Sequence, residues 1–460
     1  MAKNLGLDKD GNQKVMTAKD YAGDAVGQFA LNSINNLQGQ MSYYYINKVG
    51  MSEATAGNVL LIAKIVDAFT DLIMGKVVEN TKSKYGKARP WMLWMIIPTV
   101  LAIIGMFAVP NISGGALMAY GIFSNIFASA ICYTAVAVPY YTMIAFKTKS
   151  DEEKGKIGTF RSAVGYAVGV SLGIGLIPIT NALGGDKRAW IIFACIMAVI
   201  SGICMFIVFK TSKELYVESS EESAEEASVG ILKGLGILVR NKYWIKITVV
   251  GVAMNVMYAL IMAGPLFYAQ MVLGNDNYYS LINTVNIVPS VIGFVTVGFL
   301  IQKLGLTKTA ATASIIGIVG CLVRCIFPGS LMVTLLAGSV VMYATIPLIS
   351  CLPAMVLNTA EYNMYTNGVR IVGMTNASNS FVGKIGGGLG SASIGWILAI
   401  AGAQAAKGNA NAMTIGVYAM NIYVPLVMFV IMLILLLTYN YDKKYEALQK
   451  SGGKKIELSE

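Results

Sequence analysis

Twelve stretches of largely apolar sequence follow one another along this chain, and each is long enough to cross a lipid bilayer as a helix. They cover roughly 20–46, 53–78, 91–110, 115–146, 158–184, 189–210, 243–273, 278–302, 309–327, 330–357, 370–402 and 413–439. A spanning helix needs ~20 mostly apolar residues. Longer stretches tilt or run past the bilayer. A membrane β-barrel would instead show short segments of alternating polarity, which the sequence lacks. Charged residues make up only 13% of the chain, against about 25% in soluble domains. The expectation is an all-α membrane protein with twelve transmembrane helices and the lipid bilayer as its main partner.

The net charge of +11 raises the question of nucleic acid, but its distribution answers otherwise. Under the twelve-span reading, the loops on one side carry Lys and Arg in clusters, as in "ENTKSKYGKARP" and "KTKSDEEKGK". The loops on the other side hold only Lys48, Lys187, Arg188 and Lys407. This asymmetry is the positive-inside pattern and places both termini in the cytoplasm, in a cytoplasmic (inner or plasma) membrane. No nucleic-acid partner is expected. The N-terminal "MAKNLGLDKDGNQK" lacks the apolar core of a cleavable signal peptide. The six cysteines fall within the spans without metal-ligand spacing. The chain has no histidine, which removes a Ser-His triad, an HExxH zinc site and a histidine proton relay. No enzyme motif and no cofactor site is expected.

The longest polar break lies between the sixth and seventh spans and holds the acidic cluster Glu218, Glu221, Glu222, Glu225 and Glu226. It reads as a solvated cytoplasmic linker, partly amphipathic. The expected organisation is a cytoplasmic N-terminus at 1–19, a six-helix half at 20–210, the linker at 211–242, a second six-helix half at 243–439 and a cytoplasmic tail at 440–460. The second and eighth spans both run into a basic turn containing Gly, "IMGKVVENTKSKYGKARPW" and "TVGFLIQKLGLTKTA". Two halves with matching basic turns suggest the major facilitator architecture, in which substrate binds near the membrane midplane.

Within the spans, acids are rare. Asp67 and Asp71 lie deep in the second span, four residues apart and therefore on one helical face with Lys64 and Thr70. A charge at the bilayer centre costs ~2.5–3.5 kcal/mol on insertion scales, so such residues face a cavity or a partner. Adjacent carboxylates repel unless a cation lies between them. Oxygen donors at this density suit a hard cation such as Na+, or a shared proton. The competing reading is a structural ion-pair cluster with Lys64 and Lys384. The first span carries Gln28, Asn32, Asn35, Asn36 and Gln40 at near-helical spacing, a polar stripe fit for a hydroxyl-rich ligand or for bonds between helices. Tyr43 to Tyr45 read as interfacial belt residues. The Gly-rich "GKIGGGLGSASIG" lacks the ending of a phosphate loop and reads as a close-packing face.

Three long segments carry a family resemblance. "IAKIVDAFTDLIMGKVVENTKSKYGKARPW" resembles the second-helix signature of the glycoside–pentoside–hexuronide:cation symporters, a family of the major facilitator superfamily typified by melibiose permease. "NTAEYNMYTNGVRIVGMTNASNSFVGKIGGGLG" resembles the family's pattern from the loop between helices 10 and 11 into helix 11, with Tyr362, Gly368, Arg370, Gly373, Ser378, Phe381 and Lys384. "YTAVAVPYYTMIA" followed by "GTFRSAVGY" is similar to its helices 4 and 5, and "YAGDAVGQ" to the start of helix 1. The resemblance implies a coupling-cation site at Asp67, Thr70, Asp71 and Thr134. It implies that Lys384 lies near those acids, able to stand in for the cation, and that Arg161 lines the sugar site.

The chain departs from the family where melibiose permease carries its galactoside-binding acids. The helix 4 position is Ala137, and helix 1 has no acid between Phe29 and Gln40. Arg161 is therefore expected to lack acidic neighbours and, with Lys384 and Arg324, to leave the cavity net positive, which favours a carboxylate-bearing substrate. The expected function is a cation (sodium or proton):sugar or glycoside symporter, for a hexuronide or glucuronide. The alternatives are a neutral pentoside or oligosaccharide symporter and a lipid or amphiphile transporter of the same superfamily. The candidate substrate contacts are Gln28, Asn32, Asn35, Tyr141, Arg161, Asn376, Asn379 and Lys384, the charge network is Lys64, Arg324, Arg370 and Lys384, and a monomer is expected.

Overall fold

The computed structural model describes residues 5–7, 12–216, 231–367 and 372–441. The linker acids Glu218 to Glu226, Arg370 and the tail beyond Tyr441 lie outside them. Among the described residues the only non-helical pairing is an isolated bridge between Leu7 and Gln13. Their regular structure is otherwise helical, and nine of the described helices are long and apolar enough to cross a membrane.

In chain order, α1 comprises Ala18–Ala25, Gly27–Gly39 and Met41–Tyr44, closing in the π turn Tyr45–Val49. Then come α2 (Glu53–Glu79), α3 (Arg89–Trp94 and Ile96–Phe107) and α4 (Gly114–Ile126, the π turn Phe127–Tyr133, and Thr134–Lys147). α5 (Asp151–Ala182) and α6 (Lys187–Thr211) complete this group. A short amphipathic helix, Ile231–Arg240, precedes α7 (Lys242–Met271), α8 (Tyr278–Val285 and Ile287–Leu304) and α9 (Leu306–Ile326). α10 (Leu331–Asn367), α11 (Val372–Ala406) and α12 (Ala412–Tyr418, the π turn Ala419–Tyr423, and Val424–Leu437) end the chain's described helices.

The helix starts follow local chemistry. Asp186 accepts from the Ala189 N–H at 2.8 Å at the head of α6. Asn241 accepts from Tyr243 and Trp244 at the head of α7. Both satisfy amides that a helix leaves unbonded at its first turn. Large apolar side chains point outward, with Val295 75% and Ile97 70% exposed. A helix apolar on its outer face belongs in lipid, not in water.

The chain divides into two compact units, Met1–Ser219 with Tyr279–Thr284, and Ser220–Tyr278 with Val285–Glu460. In the first unit two buried or half-buried carboxylates tie loops to helices. Glu153 accepts from the N–H groups of Val15 and Met16 at 2.9 and 2.8 Å and from the Thr148 hydroxyl at 2.5 Å. Glu214 accepts from the N–H groups of Lys87, Ala88 and Arg89 at 2.8, 2.8 and 2.5 Å, capping α3. Tyr43, Tyr44 and Tyr45, expected at a lipid interface, are instead fully buried. Tyr43 and Tyr44 pack on Trp190, and the Tyr44 hydroxyl donates to the Phe107 carbonyl. Aromatic bulk wins there because the facing helices α3 and α6 supply a matching apolar socket.

In the second unit the Gly-rich face of α11 packs on α7, as its small residues predict. A β-carbon added at Gly390 would stand 2.7 Å from the Val256 carbonyl oxygen, and one at Gly386 3.0 Å from that of Val252. Only glycine lets these two backbones come so close.

Candidate cation and substrate site

Helical periodicity stacks Lys64, Asp67 and Asp71 along α2, and α4 brings a hydroxyl to them. The Thr134 hydroxyl lies 2.8 Å from Asp71 Oδ1 and 3.3 Å from Asp67 Oδ1. Thr134 is the first residue after the π turn Phe127–Tyr133. A π turn adds a residue to the helical cycle and re-aims the side chains beyond it. Asp67 is 1% exposed, so its carboxylate needs local compensation. Lys64 Nζ supplies part of it at 3.6 Å from Asp67 Oδ2. The Thr70 hydroxyl donates to the Asp67 carbonyl at 3.0 Å, which leaves its lone pairs as the acceptor function it can offer. Two carboxylates converging on one hydroxyl oxygen form a hard-oxygen site with a net negative charge, the chemistry that holds a small cation.

Helix α1 bonds to both sides of this site. Gln38 Oε1 accepts from Lys64 Nζ at 2.8 Å, and Asn35 Nδ2 donates to the Tyr133 hydroxyl at 3.0 Å. Further along, Asn36 Nδ2 donates to the Asn32 carbonyl at 2.8 Å, and Asn32 Nδ2 to the Gln28 side-chain oxygen at 2.9 Å. Gln28 Nε2 reaches the Tyr141 hydroxyl at 3.5 Å. Gly165 of α5 faces this ladder, and a β-carbon there would stand 3.0 Å from Asn32 Nδ2. Tyr141 is half exposed.

Arg161 is where expectation and structure part. Far from lacking acidic neighbours, it grips Asp24 of α1, Nε to Oδ2 at 2.6 Å and Nη2 to Oδ1 at 2.9 Å. Lys147 of α4 pairs with the same carboxylate. The Arg161 guanidinium lies on the Tyr140 ring, 3.6 Å from its centroid, and the Tyr140 hydroxyl donates to the Asp24 carbonyl at 2.7 Å. All four side chains are buried. The sequence reading of charge in the spans missed Asp24, Lys147 and Tyr140 because Asp24 stands near the start of the first span and Lys147 at the end of the fourth. Their packing together depends on elements more than a hundred residues apart.

Lys384 and Arg324 belong to the second unit. Asn376 and Asn379 sit on α11, but their side chains lie outside the described atoms. Arg370 lies outside the described residues.

A helical membrane fold here holds a paired-carboxylate site with an amide-lined flank, and the proteins it is similar to are transporters, not enzymes. The family model described as "MFS/sugar transport protein" matches residues 23–443, and the chain belongs to that family. It is 28% identical to the isoprimeverose transporter of Lactiplantibacillus pentosus over 91% of this chain and 88% of that protein. It is 25% identical to a glucuronide carrier protein homolog of Escherichia coli (strain K12) over 78% of each. Among solved structures, a point mutant of the nucleoside transporter NupG superposes with a TM-score of 0.66 at 12% identity, covering 91% of this chain and 98% of that one. The resemblance of the sequence to the glycoside symporters is borne out, and the protein is a multi-pass membrane transporter of the sugar-transport class.

Proposed function

We propose that this protein is a cation-coupled symporter for a sugar or glycoside, with twelve spans in two six-helix halves and both termini cytoplasmic. The observation that carries the reading is the convergence of Asp67 and Asp71 on the Thr134 hydroxyl. A cation entering there offsets the repulsion of two carboxylates and draws α2 and α4 together. The links Gln38–Lys64 and Asn35–Tyr133 tie that change to α1, whose Gln28–Asn32 ladder, with Tyr141, offers donors and acceptors to sugar hydroxyls. Binding of each ligand then favours the other, a reciprocal coupling free energy. An amphiphile would find little use for such a ladder.

The filling of Arg161 by Asp24 changes the substrate reading. A guanidinium already held edge-on by a carboxylate is a poor anchor for a second one, so a neutral glycoside is favoured over a hexuronide. The likeness to an isoprimeverose transporter supports the same side. The hexuronide reading retains the likeness to a glucuronide carrier homolog and the net positive charge of the Asp24, Lys147 and Arg161 cluster.

Uptake into proteoliposomes tests the proposal. Wild type should accumulate a neutral glycoside against its gradient when sodium, or a proton gradient, is imposed. Asp67→Asn and Asp71→Asn should each abolish accumulation while sparing some exchange. Full accumulation in both variants would remove the cation assignment. A panel of neutral glycosides against glucuronides, at varied sodium and pH, identifies the substrate class and the coupling ion.

A further inference from the structure

Two arginines are buried among the described residues, each with one guanidinium nitrogen that has no hydrogen-bond partner, Nη1 of Arg161 and Nε of Arg324, but a carboxylate meets only the first. Arg161 presents its Nε–Nη2 edge to Asp24. Arg324, in the last turn of α9, is 8% exposed and has no such partner among the described residues. Its Nη1 donates to the Asn421 carbonyl of α12 at 3.0 Å, while Nε is buried with no hydrogen-bond partner. Among the described residues no carboxylate stands within ion-pair distance of it. Glu361, the acid carried by α10, lies about 30 residues beyond Leu331, or about 45 Å of helical rise away from the end of α10 next to Arg324. The ring of Tyr268 lies 5.9 Å from the guanidinium and offers only a diffuse attraction. The Tyr268 hydroxyl is itself engaged, accepting from Thr334 at 2.9 Å and donating to the Pro328 carbonyl at 2.8 Å. Asn421 spends its side-chain N–H groups on the carbonyls of Gly264 and Val417. The neighbours are thus locked by one another, and none turns an acceptor toward Nε.

A buried cation with an unfilled donor edge is costly unless a counter-charge reaches it. The Nε–Nη2 fork is planar and matches a planar oxyanion with two parallel N–H···O bonds. We propose that Arg324 is the anchor of a small-anion site in the second unit, bounded by α7, α9, α10 and α12, that takes a planar monovalent oxyanion such as a carboxylate or nitrate. The anion meets this buried guanidinium as the Asp24 carboxylate meets that of Arg161. The site shares no residue with the carboxylate pair of α2, and its test does not draw on the symport reading.

The experiment follows thermal unfolding of the detergent-purified full chain at fixed sodium and fixed ionic strength, with acetate, formate or nitrate replacing a bulky sulfonate. Wild type should show a saturable rise in unfolding temperature, and Arg324→Gln should show none. Arg324→Lys keeps the charge but loses the fork, and should bind acetate at least about tenfold more weakly. A parallel arm with glucuronate separates the sources. Saturation by acetate or nitrate assigns the site to a free anion, and saturation by glucuronate alone assigns it to the carboxylate of a sugar acid. Should Arg324→Gln fail to fold, calorimetric titration of acetate into wild type and Arg324→Lys gives the same comparison. No saturable effect in wild type, or equal effects in wild type and both variants, would overturn the proposal and leave the symport reading untouched.

Discussion

Arg161 and Asp24, 137 positions apart in the chain, meet edge to edge with bonds of 2.6 and 2.9 Å. Lys147 joins the same carboxylate from α4, so one acid fastens α1 to both α4 and α5. Removing one partner of a buried pair costs about 3–5 kcal/mol, because the other charge stays behind.

Asp24→Asn is therefore expected to lower the unfolding temperature sharply, since it strands two buried cations. Arg161→Gln should be nearly as harmful. The double variant should lose much less than the two single losses combined. Thermal unfolding of the four proteins in detergent closes the cycle, and additive losses would show that the pair is not a unit.

Thr134→Val keeps the shape of the side chain and removes the hydroxyl between Asp67 and Asp71. A hydrogen bond to a charged group contributes about 1.5–3 kcal/mol, so cation-driven uptake at limiting cation should fall by about tenfold or more. Thr134→Ser should restore most of it. Initial rates of uptake against cation concentration measure both, and a Val variant indistinguishable from wild type would exclude the hydroxyl as a ligand.

Lys64 stands 3.6 Å from Asp67 Oδ2 and repels any cation that binds there. Lys64→Gln should raise the apparent affinity for the coupling cation several-fold, since two like unit charges about 4 Å apart repel by about 1 kcal/mol even in bulk water. Cation-dependent quenching of intrinsic fluorescence would report the shift. An affinity that falls would mean that Lys64 holds the carboxylates in place more than it competes.

Gly390→Leu drives a side chain into the Val256 backbone, which cannot rotate away. Overpacking of this kind costs about 1–3 kcal/mol or more, so the yield of monodisperse protein and its unfolding temperature should both drop. Gly387→Ala, where an added β-carbon meets nothing within 4 Å, is the control and should behave as wild type.

The sequence fell short where contact depends on the third dimension. Spacing alone placed Lys64, Asp67, Thr70 and Asp71 on one face, because helical periodicity is a local property. Thr134 entered only through family resemblance, and its approach to the acids rests on a π turn that no residue pattern announced. The reading of Arg161 as unneutralised failed for a related reason. On α1 the family's acid position lies beyond Phe29, whereas the carboxylate that reaches the guanidinium is Asp24, a little over a turn earlier. Position in the span points Tyr43 to Tyr45 to the lipid interface, and the socket that buries them, around Trp190 and Phe107, lies on other helices.

By itself the sequence determined that the chain is a bundle of apolar helices with acids set at helical spacing in one of them, since length, hydropathy and a 3.6-residue period need no partner to be expressed. Only the tertiary structure decided which charges compensate one another, that Asp24 fills Arg161 while Arg324 keeps an open edge. Ion pairing in a low-dielectric interior turns on ångström distances between side chains from different helices, and those distances are fixed by packing.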